Sequence, residues 1–249
     1  MVTIQNNRQS NLGITTDMSW FSNTDGWIVV HVDACNYGRT GLQTALEYFS
    51  FIGDRNFVIS VSSLEEALHE THPYVFSGRI MRCLVVRLPS MTREALIMLL
   101  QLSEMTQDDI VLYHQVVVLS PFDTVTVRRL VAIMGMTNVR VVDSRLSPLA
   151  LCNTVHFGSK ERMAKGRYLG QVLTSIERNA LRQSLLFWPV QVQAELRSVS
   201  IKTIYNQRDK ALRKFGAHNM RTLLHLLSPK MTGGSENEDE QAEAKNLPA

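Results

Sequence analysis

Between residues 26 and 157 the sequence alternates five times between a short apolar run and an amphipathic stretch. The apolar runs, which have the length and β-branched content of buried strands, are Trp27–Val32, Phe57–Val61, Ile80–Leu88, Val116–Leu119 and Val139–Val142. The amphipathic stretches that follow them are Thr40–Ile52, Ser63–Glu70, Met91–Met105, Thr124–Met134 and Leu146–Val155. Five βα units of this length predict an α/β domain with a parallel sheet and helices on both faces.

The chain of 249 residues is long enough for a second domain. We expect a flexible polar arm over residues 1–25, the α/β domain over 26–157, a linker over 158–170, a helical domain over 171–228 and an acidic disordered tail over 229–249. The arm lacks the apolar stretch of a signal peptide, and no apolar run is long enough to span a membrane. Three scattered cysteines fit the reducing cytoplasm better than a disulfide framework. We therefore expect a cytoplasmic protein.

A basic helix bounded by polar residues and a glycine is predicted within residues 200–219. At 100° per residue, its apolar side chains fall on one side: Ile201, Ile204, Ala211, Leu212 and Phe215. The opposite side carries Lys202, Tyr205, Asn206, Asp209 and Arg213. Ser200 suits the N-cap position, and Gly216 suits the position just past the end of the helix. One face can thus pack on a core while the other offers hydrogen-bonding groups to a DNA groove.

Positive charge is concentrated around this helix. From Leu173 to Ser228, nine basic side chains oppose three acidic ones, a net charge of +6. Residues 229–249 carry −3, and residues 1–172 sum to about zero. This distribution is typical of a polyanion-binding module, although a solvated basic helix face would have the same charge. The acidic tail would either screen that module from non-specific DNA or simply keep the chain soluble.

A set of residues with fixed spacing precedes and enters the basic helix: Leu173-Thr174, Glu177, Leu181, Ala194, Ser200, Thr203 and Ile204. This spacing resembles the helix-turn-helix domain of LuxR/FixJ-type regulators. A narrower set, Ser-Ile-Lys-Thr-Ile with Gln207, Lys214-Phe215-Gly216 and Leu223-Leu224, is similar to the C-terminal domain of the response regulator RcsB and its co-regulators RcsA and BglJ. The resemblance implies an all-α four-helix domain that binds double-stranded DNA.

The same resemblance implies DNA contacts from eight residues of the helix, which are Lys202, Thr203, Tyr205, Asn206, Gln207, Asp209, Lys210 and Arg213. Among them, Tyr205, Asn206 and Asp209 occupy positions that tend to read bases. Asp209 departs from the family, in which a basic residue is common there. Its carboxylate would either accept a hydrogen bond from a cytosine amino group or weaken binding.

The first βα unit resembles a response-regulator receiver, on the basis of Ile28–Asp33 followed by Gly41-Leu42. A working receiver needs two adjacent acids for Mg²⁺, a phosphorylatable Asp after the third strand, a Ser or Thr after the fourth and a Lys after the fifth. The matching positions here are Asp33-Ala34, Arg87, Ser120 and Asp143. Three charge-critical positions differ, so we expect a degenerate receiver that takes no phosphoryl group, metal or cofactor.

Arg87 and Asp143 have opposite signs to those of a working receiver. The sequence therefore predicts either an ion pair between them or two side chains that face solvent independently, and it does not decide between the two.

Taken together, these features predict a DNA-binding transcriptional regulator that acts without aspartyl phosphorylation. The resemblance implies dimerisation with an RcsB-like response regulator or with itself, each partner reading one half-site. The alternative is an interaction protein that no longer binds DNA and titrates a partner regulator. Asp209 favours that alternative, as do Gln193 and Arg197, which stand where the family has aliphatic residues. No catalytic motif is assembled in the sequence, so we do not expect an enzyme.

Overall fold

The structure is a computed structural model that describes residues 26–48, 56–71, 80–108, 113, 115–136, 139–157 and 171–228. The predicted arm, linker and acidic tail lie outside the described residues. The strands are β1 (Gly26–Val32), β2 (Asn56–Val61), β3 (Ile80–Arg87), β4 (Gln115–Ser120) and β5 (Val139–Asp143). The helices that follow them are α1 (Asn36–Tyr48), α2 (Leu64–Thr71), α3 (Thr92–Asp108), α4 (Thr124–Ile133) and α5 (Pro148–Phe157). None of the described helices is long and apolar enough to cross a bilayer.

All five strands pair in parallel in the order β2-β1-β3-β4-β5. This confirms the predicted parallel α/β domain, and the order is one of the common doubly wound arrangements. Helix α1 begins four residues earlier than predicted, because the polar segment 36–39 has no apolar periodicity. Its first turn is closed by the Arg39 N–H, which donates to the Cys35 carbonyl at 3.0 Å.

The two faces of the sheet carry separate apolar clusters. Val30 of β1 packs in the cluster covered by α2, α3 and α4, and Val29 packs in the cluster covered by α1 and α5. Successive side chains of a strand point to opposite faces, so His31 lies on the α1–α5 face with Val29. The carboxyl ends of all five strands lie at one edge of the sheet, and the predicted receiver positions are the last residues of β3, β4 and β5 and the residue after β1.

Four helices occupy residues 171–228, namely α6 (Ser175–Leu185), α7 (Val190–Leu196), α8 (Ile201–Lys214) and α9 (Met220–His225). Helix α8 has the predicted ends. Ser200 is its N-cap, and Gly216 has a φ of +73° just past its C-cap. Gly216 N–H donates to the Arg213 carbonyl at 2.9 Å and Ala217 N–H to the Leu212 carbonyl at 2.9 Å, which closes the helix with a Schellman motif.

The apolar cluster under α2–α4 continues into the helical segment, where it includes Leu181 of α6 and Phe215 after α8. Polar contacts join the same elements. Arg178 Nη1 donates to the Met134 carbonyl at 3.0 Å, and Leu173 N–H donates to the Ile133 carbonyl at 2.8 Å. The sequence predicted a linker between two domains but not that the segments on either side of it pack together.

Candidate nucleic-acid interface and the carboxyl edge of the sheet

The N-terminus of α8 is fixed by its own side chains. Ser200 Oγ accepts a hydrogen bond from Thr203 N at 3.1 Å, and the two hydroxyl oxygens lie 2.8 Å apart. The Thr203 hydroxyl is therefore engaged in the cap and is half-buried. Caps of this kind satisfy backbone N–H groups that have no partner within the helix.

Six of the eight predicted contact residues are exposed on one side of α8, and these are Lys202, Tyr205, Asn206, Asp209, Lys210 and Arg213. The other two, Thr203 and Gln207, are half-buried on the flank of the helix. Gln207 Oε1 is buried and has no hydrogen-bond partner among the described residues. The structure thus brings six of the predicted residues together on one surface, which we call the α8 polar face.

The opposite face of α8 packs as predicted except at its first residue. Ile204, Ala211 and Leu212 are buried, as is Phe215 at the C-cap. Ile201 is 43% exposed, so its predicted place in the core is wrong. It belongs to the first turn of α8, where its side chain is not covered by the neighbouring helices.

Arg208 modifies the α8 polar face in a way the sequence analysis missed. Its guanidinium carbon lies 4.7 Å from the centre of the Tyr205 ring, and its Nε lies 3.8 Å from Asp209 Oδ1. Tyr and Arg three residues apart on a helix are neighbours, so this spacing was a usable signal. The contact holds Arg208 beside two of the side chains predicted to read bases.

A buried ion pair fixes the end of α8 against the start of α6. Lys214 Nζ donates to Glu177 Oε2 at 2.6 Å and to the Val172 carbonyl at 2.9 Å. Glu177 also forms a capping box with Thr174, whose backbone N–H donates to Glu177 Oε2 at 2.8 Å. Burial alone would raise the pKa of Glu177, but the hydrogen bonds from Lys214 and Thr174 hold it below its ordinary value. The carboxylate therefore ties the orientation of α8 to the rest of the helical segment.

The turn between α6 and α7 explains the unusual residues noted in the sequence. Phe187 has a φ of +60° and is followed by Trp188-Pro189. Gln193 is fully buried, and its Nε2 donates to the Trp188 carbonyl at 2.8 Å. The amide thus secures a turn carbonyl, a role that an aliphatic side chain could not fill, although Gln193 Oε1 has no partner among the described residues. Arg197, the other polar substitution, is the half-buried C-cap of α7.

The predicted receiver positions lie at the carboxyl ends of four different strands. Asp33 and Ser120 are buried, Asp143 is half-buried and Arg87 is exposed. Ser120 Oγ is 3.0 Å from the N–H and 3.1 Å from the carbonyl oxygen of Phe122, so its hydroxyl is engaged locally. The four predicted positions therefore lie at one edge of the sheet, and two of them, Asp33 and Ser120, carry residue types that the predicted receiver site requires.

Neither of the two alternatives for Arg87 and Asp143 is found, because they do not pair with each other and each has a different partner. Arg87 Nη1 instead lies 3.3 Å from Asp33 Oδ2, because β1 and β3 are adjacent in the sheet. Asp143 pairs with Arg145 through two side-chain contacts of 3.0 and 2.9 Å. The hydrogen bonds from Arg145 hold the pKa of Asp143 below its ordinary value.

The Asp33–Arg87 pair sits against α1 at Gly38. A Cβ at this position would overlap Asp33 Oδ2 and approach Arg87 Nη1 to 2.9 Å, so only glycine fits without displacing the pair. The Arg39 guanidinium caps the same loop by donating to the Asp33 carbonyl at 2.7 Å. Neither contact was predicted, although a glycine close to the first acid was the available signal.

These groups do not fit a receiver's magnesium ion. Asp33 has a cationic partner, Ala34 cannot bind a metal, and Arg87 would repel one. Within the described ranges, no three His, Cys, Asp or Glu side chains are grouped so that they could hold a metal ion.

Solved structures of RcsB response regulators have a fold similar to that of this chain. The two-component response regulator RcsB in its DNA complex aligns with a TM-score of 0.50 at 20% sequence identity, over 83% of this chain and 100% of that chain. RcsB from Salmonella enterica serovar Typhimurium, bound to promoter rprA with the phosphomimetic BeF3⁻, aligns with a TM-score of 0.46 at 20% identity, over 82% of this chain and 98% of that one. The first alignment shows that the fold is shared. The TM-score of the second is too low to add to that conclusion. No protein-family model and no curated protein matches the sequence.

Proposed function

We propose that the chain is a DNA-binding transcriptional regulator in which α6–α9 form a LuxR-type helix-turn-helix domain and α8 enters the major groove. The observation that carries this proposal is the division of α8 into a buried apolar face and the exposed α8 polar face. A rigid helix with one polar side is the element that helix-turn-helix proteins use to reach base edges. The solved RcsB–DNA complex has a similar fold, which supports the same reading.

Within the α8 polar face, we assign different roles to neighbouring side chains. Lys202 lies in the first turn and is suited to a phosphate, since a lysine acts as a compact positive charge. Asn206 lies one turn further on and is suited to a paired hydrogen bond with adenine. Arg208 lies over the Tyr205 ring, so that the tyrosine keeps one orientation at the DNA surface.

We further propose that the receiver-like domain regulates without accepting a phosphoryl group. Phosphoryl transfer to a carboxylate needs cationic help for the developing charge, and the acceptor position itself is cationic here. Arg87 also neutralises Asp33, the remaining acid of the site. This role is regulatory rather than enzymatic.

The proposed partner is an RcsB-like response regulator. A single helix-turn-helix unit covers one half-site, and specificity multiplies when two units bind adjacent half-sites. Because the degenerate receiver is not phosphorylated, phosphorylation of the partner would regulate the activity of the dimer. A dimer of this chain with itself would satisfy the same geometry and is distinguished by the experiment below.

The test is fluorescence anisotropy with a labelled duplex over a range of salt concentrations, for this chain alone, for an RcsB-like regulator alone and for the mixture. If about five phosphates are contacted, log affinity falls with log salt at a slope of roughly −4 to −5. Lys202→Ala is expected to reduce that slope by about one. Arg145→Ala is the matched control, because it also removes one positive charge but lies outside α8. It is expected to leave the slope unchanged. A mixture that binds no more tightly than the two proteins separately would contradict the heterodimer.

The second candidate function is that of an interaction protein that titrates a partner regulator without binding DNA. Asp209 favours it, because an exposed carboxylate in the middle of the α8 polar face repels phosphates. Asp209→Lys separates the two candidates. If α8 binds DNA, the substitution raises the affinity of the chain for any duplex. If the chain instead titrates a partner, the substitution leaves partner binding unchanged and DNA binding remains absent.

A further inference from the structure

A pocket of about 220 Å³ lies between α1, α5 and the carboxyl ends of the central strands. Its walls are mainly apolar and include Leu42 and Ala45 of α1, Leu119 of β4 and Leu151 of α5. This volume is below the range of about 300–1,000 Å³ typical of sites for drug-sized ligands, so the pocket suits a smaller molecule.

His31 gives the pocket an unsatisfied polar group. The side chain is 0% exposed, and neither Nδ1 nor Nε2 has a hydrogen-bond partner among the described residues. It lines the pocket from β1, on the sheet face covered by α1 and α5. Buried polar groups almost always have partners, and leaving one unpaired costs free energy. A molecule in the pocket would supply the missing partner.

Arg87 adds a positive group to the same pocket. Its side chain is 45% exposed, and its one hydrogen bond to the described residues joins Nη1 to Asp33 at 3.3 Å. The rest of the guanidinium fork is available to an acceptor, and its planar geometry matches a carboxylate. Arg39 contributes a second positive charge nearby, so the two arginines outnumber the one carboxylate of Asp33.

We propose that this pocket binds a small organic carboxylate, with its apolar body between α1 and α5, one carboxylate oxygen on Arg87 and the other accepting a hydrogen bond from the His31 ring. The apolar walls favour a hydrocarbon body over an inorganic anion such as phosphate. The site does not depend on the DNA-binding role, because it uses none of the residues of α8.

Gly41 allows the pocket to be closed without harming the fold. It lines the pocket, and a Cβ added there would meet nothing within 4 Å. Gly41→Leu therefore places a side chain in open space at the pocket, and leucine also favours the helix more than glycine does. Thr44→Leu is the matched control, because Thr44 is exposed on the same helix and does not line the pocket.

The experiment follows the ring signals of His31 by NMR in the ¹³C-histidine-labelled full-length chain during titration with benzoate, hexanoate and the neutral analogue benzamide. We expect a saturable shift of the His31 signals with at least one carboxylate at millimolar concentration, and at least tenfold weaker binding of benzamide. Arg87→Met should weaken carboxylate binding at least tenfold, Gly41→Leu should abolish the shift, and Thr44→Leu should leave it intact.

Three results would overturn the proposal. The first is no shift with either carboxylate, and the second is equal affinity for benzoate and benzamide. The third is a shift that persists in Gly41→Leu, which would place the binding elsewhere. Unchanged signals from the other histidines in each variant show that the chain remains folded.

Discussion

Replacing Gly38 and Gly41 with alanine should have opposite effects on stability, although both residues lie in α1. In a helix, glycine to alanine normally stabilises by about 0.5–1 kcal/mol, because alanine loses less conformational freedom on folding. Gly41→Ala should show this gain, since its new Cβ meets nothing within 4 Å. At Gly38 the Cβ would overlap Asp33 Oδ2 and come within 2.9 Å of Arg87 Nη1.

The cost at Gly38 follows from how Asp33 is held. Its Oδ1 accepts a hydrogen bond from Cys35 N at 2.8 Å and its Oδ2 faces Arg87, so the buried carboxylate cannot turn aside and keep both. Inserting a methyl group into a packed site costs roughly 1–3 kcal/mol. Subtracting the helical gain of alanine leaves a cost of roughly 0–2.5 kcal/mol, and we expect Gly38→Ala to lower the free energy of unfolding by about 1 kcal/mol, near the middle of that range.

Urea denaturation followed by circular dichroism measures both variants in the full-length chain. Repeating Gly38→Ala in an Asp33→Ala background removes the overlapping carboxylate and should turn the loss into a gain. If Gly38→Ala stabilises the original chain as much as Gly41→Ala does, the close contact between α1 and the Asp33–Arg87 pair is refuted.

Three further predictions concern pH, helix ends and phosphorylation. Burial lowers the pKa of His31 from 6.5 to about 4, with Asp33 opposing the shift and Arg87 and Arg39 adding to it. As pH falls, His31 therefore takes up its proton in the unfolded chain before it does so in the folded chain, and the free energy of unfolding should drop by up to about 3 kcal/mol between pH 6.5 and pH 4. In urea melts, His31→Leu should lack this pH-dependent loss, while the exposed control His218→Gln should retain it. Two residues just past helix ends have positive φ angles, +51° at Ser198 and +73° at Gly216. In thermal melts, Ser198→Gly should stabilise the folded chain by about 1 kcal/mol and Gly216→Ala should destabilise it by about the same amount. Incubation with acetyl phosphate and Mg²⁺ should leave the mass unchanged, and a hydroxylamine-labile adduct would contradict the degenerate-site proposal.

The sheet was predictable because its strands are short apolar runs that need burial on both faces. All five predicted runs became strands, and the α8 ends followed from Ser200 and Gly216. The start of α1 was missed because the segment 36–39 is stabilised by contacts with the strand edge rather than by apolar periodicity. Ile201 was misplaced because a helical wheel assumes equal coverage along the helix, whereas Ile201 is 43% exposed and Ile204 is buried.

Pairings between distant residues were the part that sequence reasoning could not supply. The residue types at the carboxyl edge were identified, but the sequence left Arg87 either paired with Asp143 or unpaired and did not indicate Asp33, since charge sign alone does not specify a partner. The burial of His31 without a hydrogen-bond partner among the described residues depends on both the strand order and the helix packing, which no local sequence pattern specifies. The contact of Lys214 with Glu177 also joins residues far apart in the chain, and no local pattern encodes it.

Selection of bound sequences from random duplexes, with the original chain and with Asn206→Ala, tests whether α8 reads DNA sequence. The selection is run with and without an RcsB-like partner. We expect an enriched motif for the original chain or its mixture with the partner. In Asn206→Ala we expect a loss of discrimination of about 1–3 kcal/mol at one base pair, while non-specific affinity is little changed. An identical motif from both proteins, or no motif under either condition, would contradict sequence reading by α8.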